Sequence, residues 1–269
     1  LINGAYEFLR LQGWRWLEPG PRGECRPEEQ SALLWPEQEI TRIPSFHYRT
    51  FYFEYHLQDS ADLVLWMARN RMNVFGLRPH TAALARKLGM QLQIGGHLFH
   101  RILDPARRLA SGRTLWEEHA DWYGTPANGI KDVAHAQDTQ FCVSQEALID
   151  YLADGLMEEL NGDWRGADIV EVSGFDTWGN TCCCAACRQL GNATDQYLHF
   201  MSGLRHRLDA ALQNGRIAYP VRLNSWSYEG TATLAAPSRP IPANMSAAGD
   251  NTVFFPIKRC YRHGIANRE

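Results

Sequence analysis

No stretch of eighteen consecutive apolar residues occurs in this 269-residue sequence, which excludes a helical membrane span. Charge of one sign is also scarce. Lys and Arg number 27 against 30 Asp and Glu, a net of −3, and no basic stripe interleaved with aromatics is present; nucleic acid is therefore not an expected partner. No G-x-G-x-x-G or Walker motif follows an expected strand, which argues against dinucleotide and nucleotide binding. Cysteine is too few and too uneven for a small disulfide scaffold. Of seven, Cys182, Cys183, Cys184 and Cys187 crowd together while Cys25, Cys142 and Cys260 are scattered. Aromatics, by contrast, are plentiful, with nine Trp and ten Tyr, which suits both a core and a carbohydrate-handling surface.

The chain opens at Leu1 inside an expected helix and stops at Glu269 without a closing element, so it reads as part of a longer protein. Asn3 to Leu11 predicts a helix ended by Gly13, followed by a short strand at Trp14–Leu17. Residues 20–45, rich in Pro, Glu and Arg, read as a connector. From Phe46 the pattern becomes alternating. Strands are expected near 48–55, 73–77, 91–95, 168–173, 217–223 and 252–257. Helices are expected at 61–72, 81–88, 145–160 and 194–213, with Ser60 and Ser144 as caps. A long polar loop, 101–140, carries Trp116, His119, Trp122 and Tyr123; a loop of that length is expected to be functional or mobile. The alternation predicts an α/β fold, an incomplete (β/α)8 barrel with its strands parallel and consecutive. Residues 1–19 would be the tail of a small preceding α/β domain and 46–269 the first six β/α units.

The stretch Ala167–Cys187 is the centre of this organisation. Its apolar run, Ile169 to Val172, ends at Ser173-Gly174, and Asp176 and Trp178 follow. In a parallel barrel the carboxyl ends of the strands converge on one mouth, where catalytic groups sit. A carboxylate beside an indole suits a sugar site, because indole stacks on the apolar face of a pyranose while carboxylates handle protons and hydroxyls. Glu229, after Trp226 and Tyr228, is the best second carboxylate. His97, His100 and His263 follow expected strand ends and are candidate hydroxyl-binding groups. Glu171 and Glu54 lie within strands, where an unpaired charge would be costly.

Five segments carry a family resemblance. Gly4-Ala5-Tyr6-Glu7-Phe8-Leu9 with Gly13-Trp14-Arg15-Trp16 resembles the end of the small domain that precedes the barrel in β-hexosaminidases and α-glucuronidases. Ile43-Pro44-Ser45-Phe46-His47-Tyr48-Arg49 resembles their lead into strand one, and Arg71-Met72-Asn73-Val74-Phe75 their second strand. Asp176 with Cys182-x-Cys184-x-x-Cys187, and Arg259-Cys260-Tyr261, are similar to segments of an uncharacterised bacterial family allied to these hydrolases. The resemblance implies glycoside hydrolysis of a poly- or oligosaccharide, possible uronic-acid or amino-sugar content, an extracellular or periplasmic setting, and Arg49 as a ligand of the sugar at the cleavage site. Two positions depart from it. Thr177 stands where β-hexosaminidases carry their acid, which argues against substrate-assisted chemistry, and Arg78 stands near their strand-two histidine.

The expected function is thus a glycosidase with Asp176 and Glu229 catalytic. Arg49, Arg78, His97, His100, Trp178, Trp226, Tyr228 and His263 would bind substrate, and no cofactor is required. The alternative is a non-catalytic carbohydrate-binding barrel that has lost the pair. Cys182, Cys184 and Cys187 have a spacing that suits a structural zinc, with Cys142, Cys260 or a histidine available as fourth ligand. A disulfide pinning the loop, or inert thiols, are the competing readings.

Overall fold

The structure, a computed structural model, describes residues 2–29, 31–35, 39, 41, 43–51, 60–258 and 260–263. The chain divides into two compact units, Leu1–Ile94 and Gly95–Glu269.

In the first unit, helix α1 (Ile2–Leu11) is followed by a two-stranded antiparallel ribbon of β1 (Arg15–Trp16) and β2 (Glu24–Cys25). Helix α2 (Ala61–Arg69) buries Leu63, Val64, Met67 and Ala68. It is shorter than its apolar spacing predicts because Arg71 takes a left-handed φ of 63° and Met72 N–H bonds back to Met67 O at 2.9 Å. Ser60 occupies its cap position without a side-chain hydrogen bond. Strand β3 (Val74–Gly76), helix α3 (Ala82–Lys87) and strand β4 (Gln91–Gly96) complete a parallel β/α/β unit with Val74 opposite Gln91. Phe75, Ala85, Met90 and Leu92 close over the α2 face as one apolar cluster. Of the expected first strand, 48–55, residues 52–55 lie outside the described residues, Glu54 among them, and 48–51 are not part of a strand. Among its described residues, Arg49 O accepts from Asn73 N and Val74 N at the start of β3.

The second unit runs through α4 (Leu98–Ile102), α5 (Leu115–His119), α6 (Glu146–Asn161), β5 (Ile169–Val172), α7 (Ala185–Leu190) and α8 (Ala193–Gln213), then β6 (Arg222–Tyr228), α9 (Ala243–Ala248) and β7 (Asn251–Phe255). Strands β5, β6 and β7 pair in parallel, with Ile169 opposite Arg222 and Asn224 opposite Asn251. The sheet order is β3-β4-β5-β6-β7, chain order without a reversal. The strands follow chain order and the described pairs are parallel with helices between them, so the chain is an α/β fold of the incomplete (β/α)8 type. Gly95, at φ 125°, is required where β4 passes β5, since a Cβ there would lie 2.1 Å from Glu171 O.

The leucine stripe of α6 is buried as its spacing predicts (Leu148, Leu152, Leu156, Leu160). It faces α8, whose Phe200 joins Phe99, Phe141 and Phe175 in a network of edge-on rings with centroids 5.0–5.7 Å apart. The 101–140 segment contains α5 and anchors Trp122 and Tyr123, both buried, with Tyr123 Oη donating to Leu103 O at 3.0 Å. Strand β6 corrects the expected 217–223 strand. It begins at Arg222 and continues through Asn224-Ser225-Trp226-Ser227-Tyr228, a polar and aromatic run whose lack of aliphatic residues hid it. Helix α8 carries a capping box in which the Asn192 side chain accepts from Asp195 N at 3.0 Å and Asp195 Oδ2 accepts from Asn192 N at 2.9 Å. Asn192→Ala is expected to destabilise the protein by about 1 kcal/mol, read as a lower midpoint in urea with an unchanged slope.

Candidate functional site

The second unit gathers residues at or after the ends of β4, β6 and β7 around one cavity of about 500 Å3, lined by His97, Trp226, Tyr228, Phe255 and Tyr261 among others. Parallel pairing explains the wall. Tyr228 stands opposite Phe255 in the ladder, and Trp226, two residues before Tyr228, shares its face. The Trp226 and Phe255 rings lie 5.1 Å apart, His97 meets Trp226 edge-on at 4.9 Å, and Trp178 meets Tyr228 at 5.9 Å.

The two histidines after β4 have distinct roles. His97 Nδ1 is 2.7 Å from Gly174 O; a carbonyl only accepts, so Nδ1 carries the proton and Nε2 keeps its lone pair. His100 Nε2 accepts from Asp176 N at 3.1 Å, which puts its proton on Nδ1, facing Gln137 Oε1 at 3.2 Å. His97 thus offers an acceptor at the cavity, whereas both nitrogens of His100 are engaged in holding the loop.

That loop, 173–180, is clamped by Gln140, a residue the sequence did not single out. Its amide oxygen accepts from Phe175 N at 2.9 Å, and its NH2 donates to Phe175 O and, at 3.2 Å, to Thr177 Oγ1. A buried amide serving as a strand partner leaves no periodic signal in a sequence. Thr177 and Trp178 both donate to Gly230 O, at 2.7 and 2.9 Å. Thr177 is buried, so the position the resemblance gives to an acid is turned away from solvent. Trp178 is exposed and takes a φ of 51°, a left-handed conformation rare for a bulky residue. Asp176 is exposed, and a Cβ on Gly230 would lie 2.1 Å from its Oδ1. Glu229 pairs with Lys258 at 2.8 Å, and the same ammonium lies 5.2 Å from the Trp178 ring centre. Burial, and the nearby charges of Asp176 and Glu229, raise the Tyr228 hydroxyl above its ordinary range.

Arg49 belongs to the first unit, where its guanidinium donates to Arg71 O and Phe46 O, each at 2.7 Å. Arg78 is in the same unit, between β3 and α3, its carbonyl accepting from Ala82 N. His263 is exposed with Nδ1 3.2 Å from Cys260 Sγ. Arg259 lies outside the described residues.

On β5, Glu171 stands opposite Asn224 of β6 and is 5% exposed. Burial pushes its carboxyl up to about 7, and the Trp226 indole, which makes no hydrogen bond of good geometry, opposes this only in part. Ser173 Oγ, Asn224 Oδ1 and Trp226 Nε1 are buried polar atoms with no hydrogen-bond partner among the described residues. The raised carboxyl has a signed consequence. Between its ordinary value of 4.5 and about 7 the folded state keeps a proton that the unfolded chain has lost, so stability falls as pH rises through that window, by about 3 kcal/mol in all. Glu171→Gln is expected to abolish this dependence and gain on the wild type between pH 5 and pH 8. Urea unfolding of both proteins at the two pH values checks it; an unchanged difference refutes it.

A second constellation lies behind the loop. The sulfurs of Cys142, Cys182, Cys184 and Cys187 are all within 4.8 Å of one another. Cys142 supplies the fourth sulfur; Cys260 and Cys25 are exposed and elsewhere. The expected cap Ser144 points its Oγ at Cys142 Sγ (3.3 Å) instead, and Gln145 takes the cap position of α6. Hydrogen bonds from Cys142 and Cys187, joined by backbone N–H groups, hold Cys182 well below the ordinary thiol range. Among the described residues no helix is long and apolar enough to cross a membrane.

No family model and no curated protein matches the chain. Among solved structures it is similar to the alpha-galactosidase from Lactobacillus brevis, at 13% identity over 61% of this chain and 24% of that one, with a TM-score of 0.33. It is also similar to a GH36 alpha-galactosidase from Geobacillus stearothermophilus in complex with 1-deoxygalactonojirimycin, at 15% identity over 54% of this chain and 18% of that one, with a TM-score of 0.27. The chain therefore spans a quarter or less of either protein, and likenesses of this size carry no argument about activity.

Proposed function

We propose that the chain carries the sugar site of a glycoside hydrolase acting on O-glycosidic bonds of a poly- or oligosaccharide. The observation that carries this reading is the convergence of His97, Asp176, Trp226 and Phe255, each at the carboxyl end of a different consecutive parallel strand, where barrel enzymes hold their chemistry. Trp226, Tyr228 and Phe255 would stack on a pyranose, and His97 Nε2 would accept from a hydroxyl. Asp176 is the group to protonate the leaving oxygen, and Glu229, ion-paired to Lys258, is the second carboxylate that acts on water or on the anomeric carbon. Trp226, which lines the cavity and whose Nε1 has no hydrogen-bond partner among the described residues, suits a polar ligand rather than a lipid.

A second reading, a carbohydrate-binding barrel without turnover, is favoured by the Glu229–Lys258 pair and by the buried Thr177. Purified protein assayed on a panel of aryl glycosides and uronides, wild type beside Asp176→Asn, separates the two. Hydrolysis that depends on Asp176 supports the enzyme; sugar binding by calorimetry with no hydrolysis of any panel member supports the binding barrel.

A further inference from the structure

We infer that Cys142, Cys182, Cys184 and Cys187 hold one zinc ion in a closed tetrathiolate site that staples the loop after β5 to the start of α6. The spacing of the sulfurs carries the inference. Zinc bound to four thiolates at about 2.3 Å in a tetrahedron requires sulfurs about 3.8 Å apart along every edge. Cys142 Sγ lies 3.7 Å from Cys184 Sγ and 3.8 Å from Cys187 Sγ. Those separations are far too long for a disulfide, whose sulfurs lie about 2.05 Å apart.

The surroundings match a thiolate cluster. Thr125 N donates to Cys182 Sγ and Cys187 N to Cys184 Sγ, each at 3.3 Å. Such N–H groups offset the negative charge that four thiolates place on the metal. Cys142, Cys182 and Cys187 are buried and Cys184 partly so, so without a metal three buried thiols would crowd the interior with weak donors and acceptors. Cys183, between two ligands, turns its sulfur to Thr181 O at 3.5 Å and stays out of the set. Loading the site replaces up to four S–H protons by four S–Zn bonds, with each released proton passing to solvent. Four protein ligands leave no open position, so the ion is structural and binds no substrate. Its effect on chemistry is through the loop that presents Asp176 and Trp178, since Cys182 follows Trp178 by only three intervening residues.

The test is metal analysis of the purified wild-type chain, with zinc K-edge absorption of the same sample. One zinc per chain with a shell of four sulfurs is expected; Cys183→Ser and Cys260→Ser should keep it and Cys142→Ser should lose it. Because Cys142→Ser could also unfold, a thiol reagent is applied to folded wild type. Four thiols should become reactive only after a chelator is added. No bound metal, iron in place of zinc, nitrogen or oxygen in the shell, or a disulfide among these four by mass would each overturn the assignment.

Discussion

Asp176→Asn is expected to lower turnover of the best glycoside substrate by on the order of 10²–10⁴, the usual cost of removing a positioned general acid or base. The substitution is nearly isosteric and Asp176 is exposed, so the fold has little to lose. The backbone hydrogen bond from Asp176 N to His100 also survives, which keeps the loop in place. The loss should fall on kcat rather than on sugar affinity, because Trp226, Tyr228 and Phe255 remain to stack on the ring. A variant that hydrolyses the same substrate at the wild-type rate would remove Asp176 from the chemistry and shift attention to Glu229. A parallel loss in kcat and in affinity would instead mark Asp176 as a binding group.

Asp250→Ala is expected to cost about 3–5 kcal/mol of stability, because it strips the partner from a buried charge. The Asp250 side chain is fully buried and that of Arg205 nearly so. The carboxylate accepts from Arg205 Nε at 2.9 Å, from Arg205 Nη2 at 2.5 Å and from Leu223 N at 2.8 Å. One residue therefore ties α8 to the edge of β6 just before β7 begins. Without it the guanidinium keeps Val221 O and an exposed-side contact to Asp209 at 3.4 Å, too little to replace the lost charge. Denaturant unfolding measures the effect. The pair Arg205→Met with Asp250→Asn should recover part of the loss, since removing both charges leaves neither unpaired. A single Asp250→Ala variant within 1 kcal/mol of wild type would show that water reaches the guanidinium and would refute the burial argument.

The sequence by itself determined the elements whose signal is local. The leucines of α6 recur at helical spacing and are buried as that spacing requires. The run at Ile169–Val172 is a strand buried along its length, and Gly95-Gly96 ends a strand where the reading placed it. Parallel order in a (β/α)8-type sheet followed from the strand–helix alternation together with the family resemblance, because consecutive parallel strands need a crossover helix between them. The sequence also marked the three cysteines 182, 184 and 187, since residues on one turn are close in the chain.

Tertiary structure decided what depends on distance in space rather than along the chain. Cys142 lies 45 residues from Cys187, and no local pattern chooses it over Cys260 as the fourth sulfur. Strand β6 runs past its expected end because one face of its second half carries Asn224, Trp226 and Tyr228, polar and aromatic residues and not an aliphatic core pattern. The role of Gln140 exists only because its amide meets Phe175 and Thr177. Lys258 makes Glu229 half of an ion pair, and burial beside Trp226 moves the Glu171 carboxyl to about 7. Periodicity reports which face of an element is apolar; the protonation and pairing of a charged group are set by what folding packs against it.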